Sequence, residues 1–187
     1  TLIGYFAGTV LSSGSDNTIL GNNSGLLITT GTRNTFFGQD AGRSCTTQTG
    51  NSFIGYTSGR LCIVDNNTFF GGLSGSSAAG ITNTFIGDNS GTANTNINNT
   101  FIGKDTGSVG SAGNQNTFVG YIAGVSNNTS RDCFIGSRAG TSSTSATSTF
   151  IGYNSGAVMG GSNTQVMIGS GSGTLITTGA DNTFVGK

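Results

Sequence analysis

The side chains best suited to binding chemistry are four tyrosines that occupy one position of a repeated phrase. Each follows a glycine that ends an apolar pair, as in "FIGY", and other copies of the phrase hold Asn, Gln, Asp or Lys there. Aromatic rings among such polar groups can stack on sugar rings, so this column is a candidate glycan contact. The alternative is that the rings only cover the edge of an apolar row. The four residues, called the Tyr column below, are Tyr5, Tyr56, Tyr121 and Tyr153.

The residue types needed for catalysis or metal binding are scarce. The chain has no His and no Glu, its seven Asp residues are isolated, and its many Ser residues lack a neighbouring base. The glycine-rich "GSGSGT" at 169–174 has no Lys at the offset of a phosphate-binding loop. We therefore predict no enzyme activity, no catalytic residues, no metal ligands and no cofactor.

Charge and hydropathy exclude two classes of partner. The net charge is zero and neither sign forms a block, which argues against binding to nucleic acid. No apolar run approaches 18 residues, which argues against membrane insertion.

The three cysteines allow two interpretations. Cys45 and Cys62 stand seven residues after the phrase glycine in neighbouring copies, so they should stack about one strand spacing apart. That distance is compatible with a disulfide. It is equally compatible with two small buried apolar residues, the usual place of free cysteine. Cys133 replaces a Thr of the phrase and has no evident partner.

The elements that position these side chains derive from one repeat of 16 or 17 residues. A second glycine follows the first four residues later, and the residue before it is Ala, Ser or Thr. The extra residue of the longer copies falls after the second glycine, which indicates a loop. The first glycines are Gly4, Gly21, Gly38, Gly55, Gly71, Gly87, Gly103, Gly120, Gly136, Gly152, Gly169 and Gly186.

The phrase "NTFI" before the first glycine has the composition of a short strand. It is β-branched and aromatic and is bounded by glycine, and no window of the chain shows a helical period. A period this short suits one coil of a parallel β-solenoid. We predict an all-β parallel β-solenoid or β-roll with eleven coils, forming a single domain over residues 1–187 and about 52 Å long. Both glycines should mark corners, and the Asn before the strand should bond its copies in adjacent coils.

The two apolar columns of the strand cannot both face the interior of one coil, because successive side chains point to opposite faces. We expect the column further from the phrase glycine, which is mostly Phe, to form a row on the surface of the single chain. Such a row would be buried where chains associate. The sequence thus predicts a homo-oligomer, most simply a homotrimer with intertwined or side-by-side chains. The predicted interface residues are Phe36, Phe53, Phe69, Phe85, Phe101, Phe118, Phe134, Phe150 and Phe184.

Phrases such as "NTFIGDNSG" at 83–91 and "NTFVGYIAG" at 116–124 resemble the N-T-x-I/V-G-Y-x-A-G repeats of bacteriophage tail fibres and related bacterial surface fibre proteins. More distantly they are similar to the head repeats of trimeric autotransporter adhesins. The resemblance implies an extracellular location, on a virion tail fibre or on a bacterial cell surface. It also implies a trimeric fibre that binds a receptor or acts as a spacer.

The expected function is a structural shaft or head segment of a trimeric fibre or adhesin that mediates attachment to a host or cell surface. Its partners would be copies of itself and a cell-surface glycan or protein receptor. The alternative is an ice- or mineral-surface-binding β-solenoid that uses ladders of Thr and Asn. That alternative is less favoured because the Thr column shares its side of the strand with an apolar column.

Overall fold

The structure is a computed structural model that describes residues 1–109, 113–160, 164–176 and 178–187. Within these ranges the chain forms twelve short strands and no helix, and all strands pair in parallel, in chain order, in one sheet. The predicted parallel β-solenoid is confirmed. The strands are β1 (Leu2–Ile3), β2 (Thr18–Leu20), β3 (Thr35–Phe37), β4 (Ser52–Ile54), β5 (Thr68–Phe70), β6 (Thr84–Ile86), β7 (Thr100–Ile102), β8 (Thr117–Val119), β9 (Cys133–Ile135), β10 (Thr149–Ile151), β11 (Val166–Ile168) and β12 (Thr183–Val185).

The strands pair in register, so each position of the repeat becomes a column of stacked side chains. Thr84 lies against Thr100, Phe85 against Phe101, and Ile86 against Ile102. A strand of three residues fits this arrangement because the chain turns away at the phrase glycine immediately afterwards. The repeat period thus sets the length of chain in one coil, and the strand spacing sets the height of the coil.

The middle residue of each strand points into the solenoid. From β3 to β10 this residue is Phe, and each of these eight rings is fully buried by its own chain. Adjacent rings stack with centroids 4.6–5.3 Å apart and planes within 16° of parallel. We call this set the inner Phe column: Phe36, Phe53, Phe69, Phe85, Phe101, Phe118, Phe134 and Phe150.

The prediction that these phenylalanines form an oligomer interface is therefore wrong for the inner Phe column. A side chain that its own coil encloses completely has no surface to offer to another chain. The physical reason is the small residue and glycine on the far side of the coil, which leave room for the ring. A Cβ at Gly75 would lie 2.3 Å from Cε2 of Phe69. Phe184 of β12 differs from the others, since 45% of its surface is exposed.

The last residue of each strand points away from the interior of the solenoid. All twelve of these side chains are apolar, and each is partly or largely exposed. Two of them, Phe37 and Phe70, are aromatic and the others are aliphatic. From β2 to β12 they lie on the same face of the sheet as the residue that begins the strand, usually Thr, two residues away. We call this set the outer aliphatic column: Ile3, Leu20, Phe37, Ile54, Phe70, Ile86, Ile102, Val119, Ile135, Ile151, Ile168 and Val185.

A buried ladder of Asn side chains locks successive coils together. The Oδ1 atom of Asn83 accepts a hydrogen bond from the backbone N–H of Asn99 at 2.8 Å, and its Nδ2 donates to the carbonyl of Asn96 at 2.8 Å. Asn83 thus joins its own strand entrance to the strand entrance and loop of the next coil. The predicted hydrogen bonding between Asn residues of adjacent coils is present. Most of these bonds join a side-chain amide to a backbone group rather than two side-chain amides.

Both glycines of the phrase occupy corners, as predicted. Gly71 has φ +141°, and a Cβ there would lie 2.4 Å from the carbonyl oxygen of Gly87 in the next coil. Gly75 has φ +54°, in the left-handed region that favours glycine. The first glycine is therefore required by close backbone stacking and the second by the inner Phe ring.

Candidate functional site

The Tyr column lies at the corner that follows each strand. Its four side chains are between 50% and 68% exposed, as expected for a surface contact. They belong to the first, fourth, eighth and tenth coils, so even Tyr121 and Tyr153 stand about 10 Å apart at one strand spacing per coil. Each ring therefore depends on its own neighbours, and Tyr56 lies in a groove.

That groove surrounds Tyr56, between the fourth and fifth coils. Its volume is about 360 Å³, which is at the small end of the range for ligand sites. Three coils contribute, because the turns after β3, β4 and β5 stack at the same corner. The lining residues are Asp40, Tyr56, Thr57, Arg60, Leu61, Leu73, Ser76 and Ser77.

Thr57 is an unusual residue within this groove. It is only 6% exposed, and its hydroxyl is the one buried side-chain oxygen or nitrogen of the described residues that has no hydrogen-bond partner. Its backbone has φ +51°, a costly conformation for a β-branched side chain. The residues two places after the phrase glycine in the other described coils are not buried. Thr57 thus leaves an unsatisfied polar atom in the wall of a groove.

The charges at the groove are unevenly paired. Nε of Arg43 lies 3.5 Å from Oδ1 of Asp40, which forms an ion pair at the edge of the groove. The Arg60 guanidinium has no acidic partner within 4 Å among the residues that the structure describes. Two arginines and one aspartate leave this corner with one formal positive charge.

The outer face of the sheet is the second candidate surface. It consists of the outer aliphatic column and the parallel column that begins each strand, mostly Thr, and neither column contains a charged residue. Charged residues stand beyond both edges of this face, for example Arg33 just before β3 and Lys104 just after β7. An uncharged strip with a polar rim has the composition of a protein interface.

The cysteines are free thiols in this structure. Cys45 and Cys62 are buried in neighbouring coils, and Sγ of Cys45 donates to the carbonyl of Cys62 at 3.2 Å. Burial raises the pKa of Cys45 well above its usual range and raises that of Cys62 to about 11. Of the two interpretations, the structure therefore shows the buried apolar one, while Cys133 is half-buried at the start of β9.

Asp132 replaces Asn in the buried ladder and brings a carboxylate into the interior. Its Oδ1 still accepts from the backbone N–H of Ser148 at 2.8 Å, while Oδ2 accepts from Oγ1 of Thr129 at 2.8 Å and from Nδ2 of Asn127 at 3.3 Å. Burial raises the pKa of Asp132 from 3.8 to about 6, partly offset by these donors and by Arg131. The carboxylate is enclosed and partnered, so it fits a structural role.

Within the described ranges, no cluster of three or more His, Cys, Asp or Glu side chains has the arrangement of a metal site. Nor does any helix in those ranges have the length and hydropathy of a membrane span. Comparisons with protein-family models, with curated proteins and with solved structures found no match to this chain. The candidate surfaces must therefore be judged by their own chemistry.

Sequence reasoning identified the Tyr column but missed the groove and the ladder substitution. One signal for the groove was present: Gly72 is the only glycine in the position that Tyr occupies elsewhere, and it follows Tyr56 by one coil. A missing side chain there opens space beside the ring. The signal for the ladder was Asp132 itself, an acidic residue in a column that is otherwise neutral.

Proposed function

We propose that the chain is a structural shaft or head segment of a trimeric extracellular fibre or adhesin, which mediates attachment to a host or cell surface. The observation that carries the proposal is the outer aliphatic column, a row of twelve apolar side chains on an uncharged sheet face, of which nine are exposed and three are half-buried. A contiguous strip of this kind exceeds what a monomer usually exposes. In this proposal the outer aliphatic column replaces the inner Phe column as the surface that joins the chains.

The size of the driving force can be estimated from exposure. The exposed fractions of the nine exposed members range from 37% for Ile86 to 74% for Val185. Fully burying such a side chain is worth about 1.5–3 kcal/mol, so covering the whole column contributes on the order of 10 kcal/mol. Association itself costs about 4–15 kcal/mol. Burial of the outer aliphatic column alone therefore only about offsets the cost of association, so stable assembly requires that the Thr column on the same face is covered as well. In a trimer, the face of each chain contacts two neighbouring chains, which cover both columns.

Attachment is assigned to the Tyr column at the adjoining corner, as a candidate contact with a surface glycan. A single exposed ring binds a sugar weakly, but three chains and several coils present many copies at once. Multivalent presentation of this kind raises the effective affinity without new contacts. The rod would thus combine a spacer role with repeated shallow binding sites.

Assembly is tested by light scattering of the protein and of the double variant Ile102→Asp/Ile135→Asp. We expect a trimer for the parent chain and a folded monomer for the variant, because each charge on the outer face would have to be desolvated on assembly. The matched control Thr92→Asp changes a residue in the turn after β6, outside this face, and should remain trimeric. A parent chain that is monomeric and folded at micromolar concentration would refute the proposed assembly.

Attachment is tested separately with Tyr121→Ala/Tyr153→Ala, which leaves the outer face intact. We expect the variant to remain trimeric and to bind cells or a glycan array several-fold less strongly. Unchanged binding would assign the chain to the spacer role alone.

A second candidate, binding to ice or a mineral surface, is favoured by one observation. The Thr column and the outer aliphatic column lie side by side on an open sheet face, with one copy of each per coil. Such a face presents hydroxyl and methyl groups at a spacing of about 4.8 Å. Thermal hysteresis or inhibition of ice recrystallisation by the monomeric parent chain would favour this function over the fibre.

A further inference from the structure

The groove around Tyr56 differs from the other corners of the rod. It combines an exposed aromatic ring, a guanidinium without an acidic partner, and a buried hydroxyl without a hydrogen-bond partner. Elsewhere in the described chain, buried side-chain oxygens and nitrogens are paired. An unpaired buried polar atom costs about 1–3 kcal/mol, so the wall of this groove carries a local cost that the other corners do not.

The ligand chemistry follows from the lining. The Tyr56 ring offers an apolar face for a flat stack, while Ser76 and Ser77 offer hydroxyl groups. The Asp40 carboxylate is already paired with Arg43, so the charge left to recognise is the positive one of Arg60. An Arg guanidinium binds a carboxylate through two parallel hydrogen bonds. A volume of about 360 Å³ suits one sugar ring rather than an extended chain.

We propose that this groove binds one carboxylated sugar unit of a surface glycan, with the ring against Tyr56 and the carboxylate on Arg60. The inference rests on the attachment role proposed above, because it names the ligand class of that role and confines it to one place on the rod. Asp40, Ser76 and Ser77 accept or donate hydrogen bonds to the sugar hydroxyls.

The test uses sodium glucuronate as the probe and glucose as the matched neutral sugar, with binding followed by saturation-transfer NMR on the full chain. We expect glucuronate to bind with a dissociation constant of about 1–10 mM and glucose to bind at least about fivefold more weakly. Arg60→Gln should bring the two constants within about twofold of each other. Arg33→Gln removes an exposed arginine elsewhere on the rod and should keep the preference.

Thr57→Val separates binding from folding. Because the hydroxyl is unpartnered in the free protein, its replacement by a methyl group of similar shape should leave the melting temperature unchanged or raise it. Because that hydroxyl is enclosed in the wall, the same change should leave glucuronate binding unchanged. A variant that melts much lower would refute the absence of a partner for this hydroxyl, and one that no longer binds would refute the assignment of binding to Tyr56 and Arg60.

Three results would overturn the proposal: no saturable signal up to about 50 mM of either sugar, equal affinity for the two sugars, or unchanged preference in Arg60→Gln. Light scattering of the same samples separates this result from the proposed assembly. A monomeric chain that binds glucuronate through Arg60 refutes the trimer and keeps the groove. A trimer without binding refutes the groove alone.

Discussion

Phe101 and Ile102 are adjacent in β7 and face opposite sides of the sheet, so paired alanine substitutions test which face is the interior. The Phe101 ring is fully buried and stacks on Phe85 at 4.9 Å and on Phe118 at 4.8 Å. Truncating a buried Phe to Ala costs about 3–5 kcal/mol, because packing is lost and a cavity remains. We expect Phe101→Ala to lose about this much of the free energy of unfolding.

Ile102 is 37% exposed and lacks a cover within its own chain on the outer side. Ile102→Ala should therefore cost about 1 kcal/mol or less in the isolated chain. If the outer aliphatic column joins the chains, a further loss should appear that depends on protein concentration, since it belongs to association.

The assay is urea denaturation followed by circular dichroism at several protein concentrations. Phe101→Ala should lower the midpoint at every concentration. Ile102→Ala should lower it mainly where the parent chain is assembled. A larger loss for Ile102→Ala than for Phe101→Ala in the dilute, dissociated chain would show that the two faces have been assigned the wrong way round.

Three further predictions concern the corners, the ladder and the thiols. Gly71→Ala should lower stability by about 3 kcal/mol or more, because φ is positive and the Cβ meets backbone, whereas Gly72→Ala meets only the flexible end of a side chain and should be nearly neutral in a thermal melt. For Asp132 the folded-state pKa of about 6 lies above 3.8, so its contribution to stability is fully present below pH 3.8 and is lost as pH rises through 6. Relative to the parent chain, Asp132→Asn should therefore gain about 2–3 kcal/mol between pH 4 and pH 7, which urea titrations can measure. In the variant Ile102→Asp/Ile135→Asp, whose outer face should be uncovered, iodoacetamide at pH 8 should label Cys133 in the folded chain and the two interior thiols only after unfolding, as read by peptide mass spectrometry; a disulfide between those two would contradict this.

Much of this fold follows from the sequence because its period is short and regular. A spacing of 16 or 17 residues admits one strand per coil, and the glycines at fixed offsets set the corners. Glycine is needed there for two local reasons, close backbone stacking at Gly87 and a left-handed conformation at Gly91. Both positions can be recognised in the sequence, because glycine recurs there in successive copies of the repeat. The position of the Tyr column at a corner follows from the same spacing.

The tertiary structure decided which of the two apolar columns lies inside. Alternation along a strand places Phe85 and Ile86 on opposite faces of the sheet, and both side chains are apolar. The sequence pattern therefore does not distinguish the interior face from the exterior face. The choice depends on the opposite wall of the coil, where Ser90 and Gly91 leave space for a ring: a Cβ at Gly91 would lie 2.4 Å from Phe85. That contact joins residues on two sides of one coil, and only closure of the coil brings them together. The groove at Tyr56 was hidden for the same reason, since its walls come from three coils that the stacking places side by side.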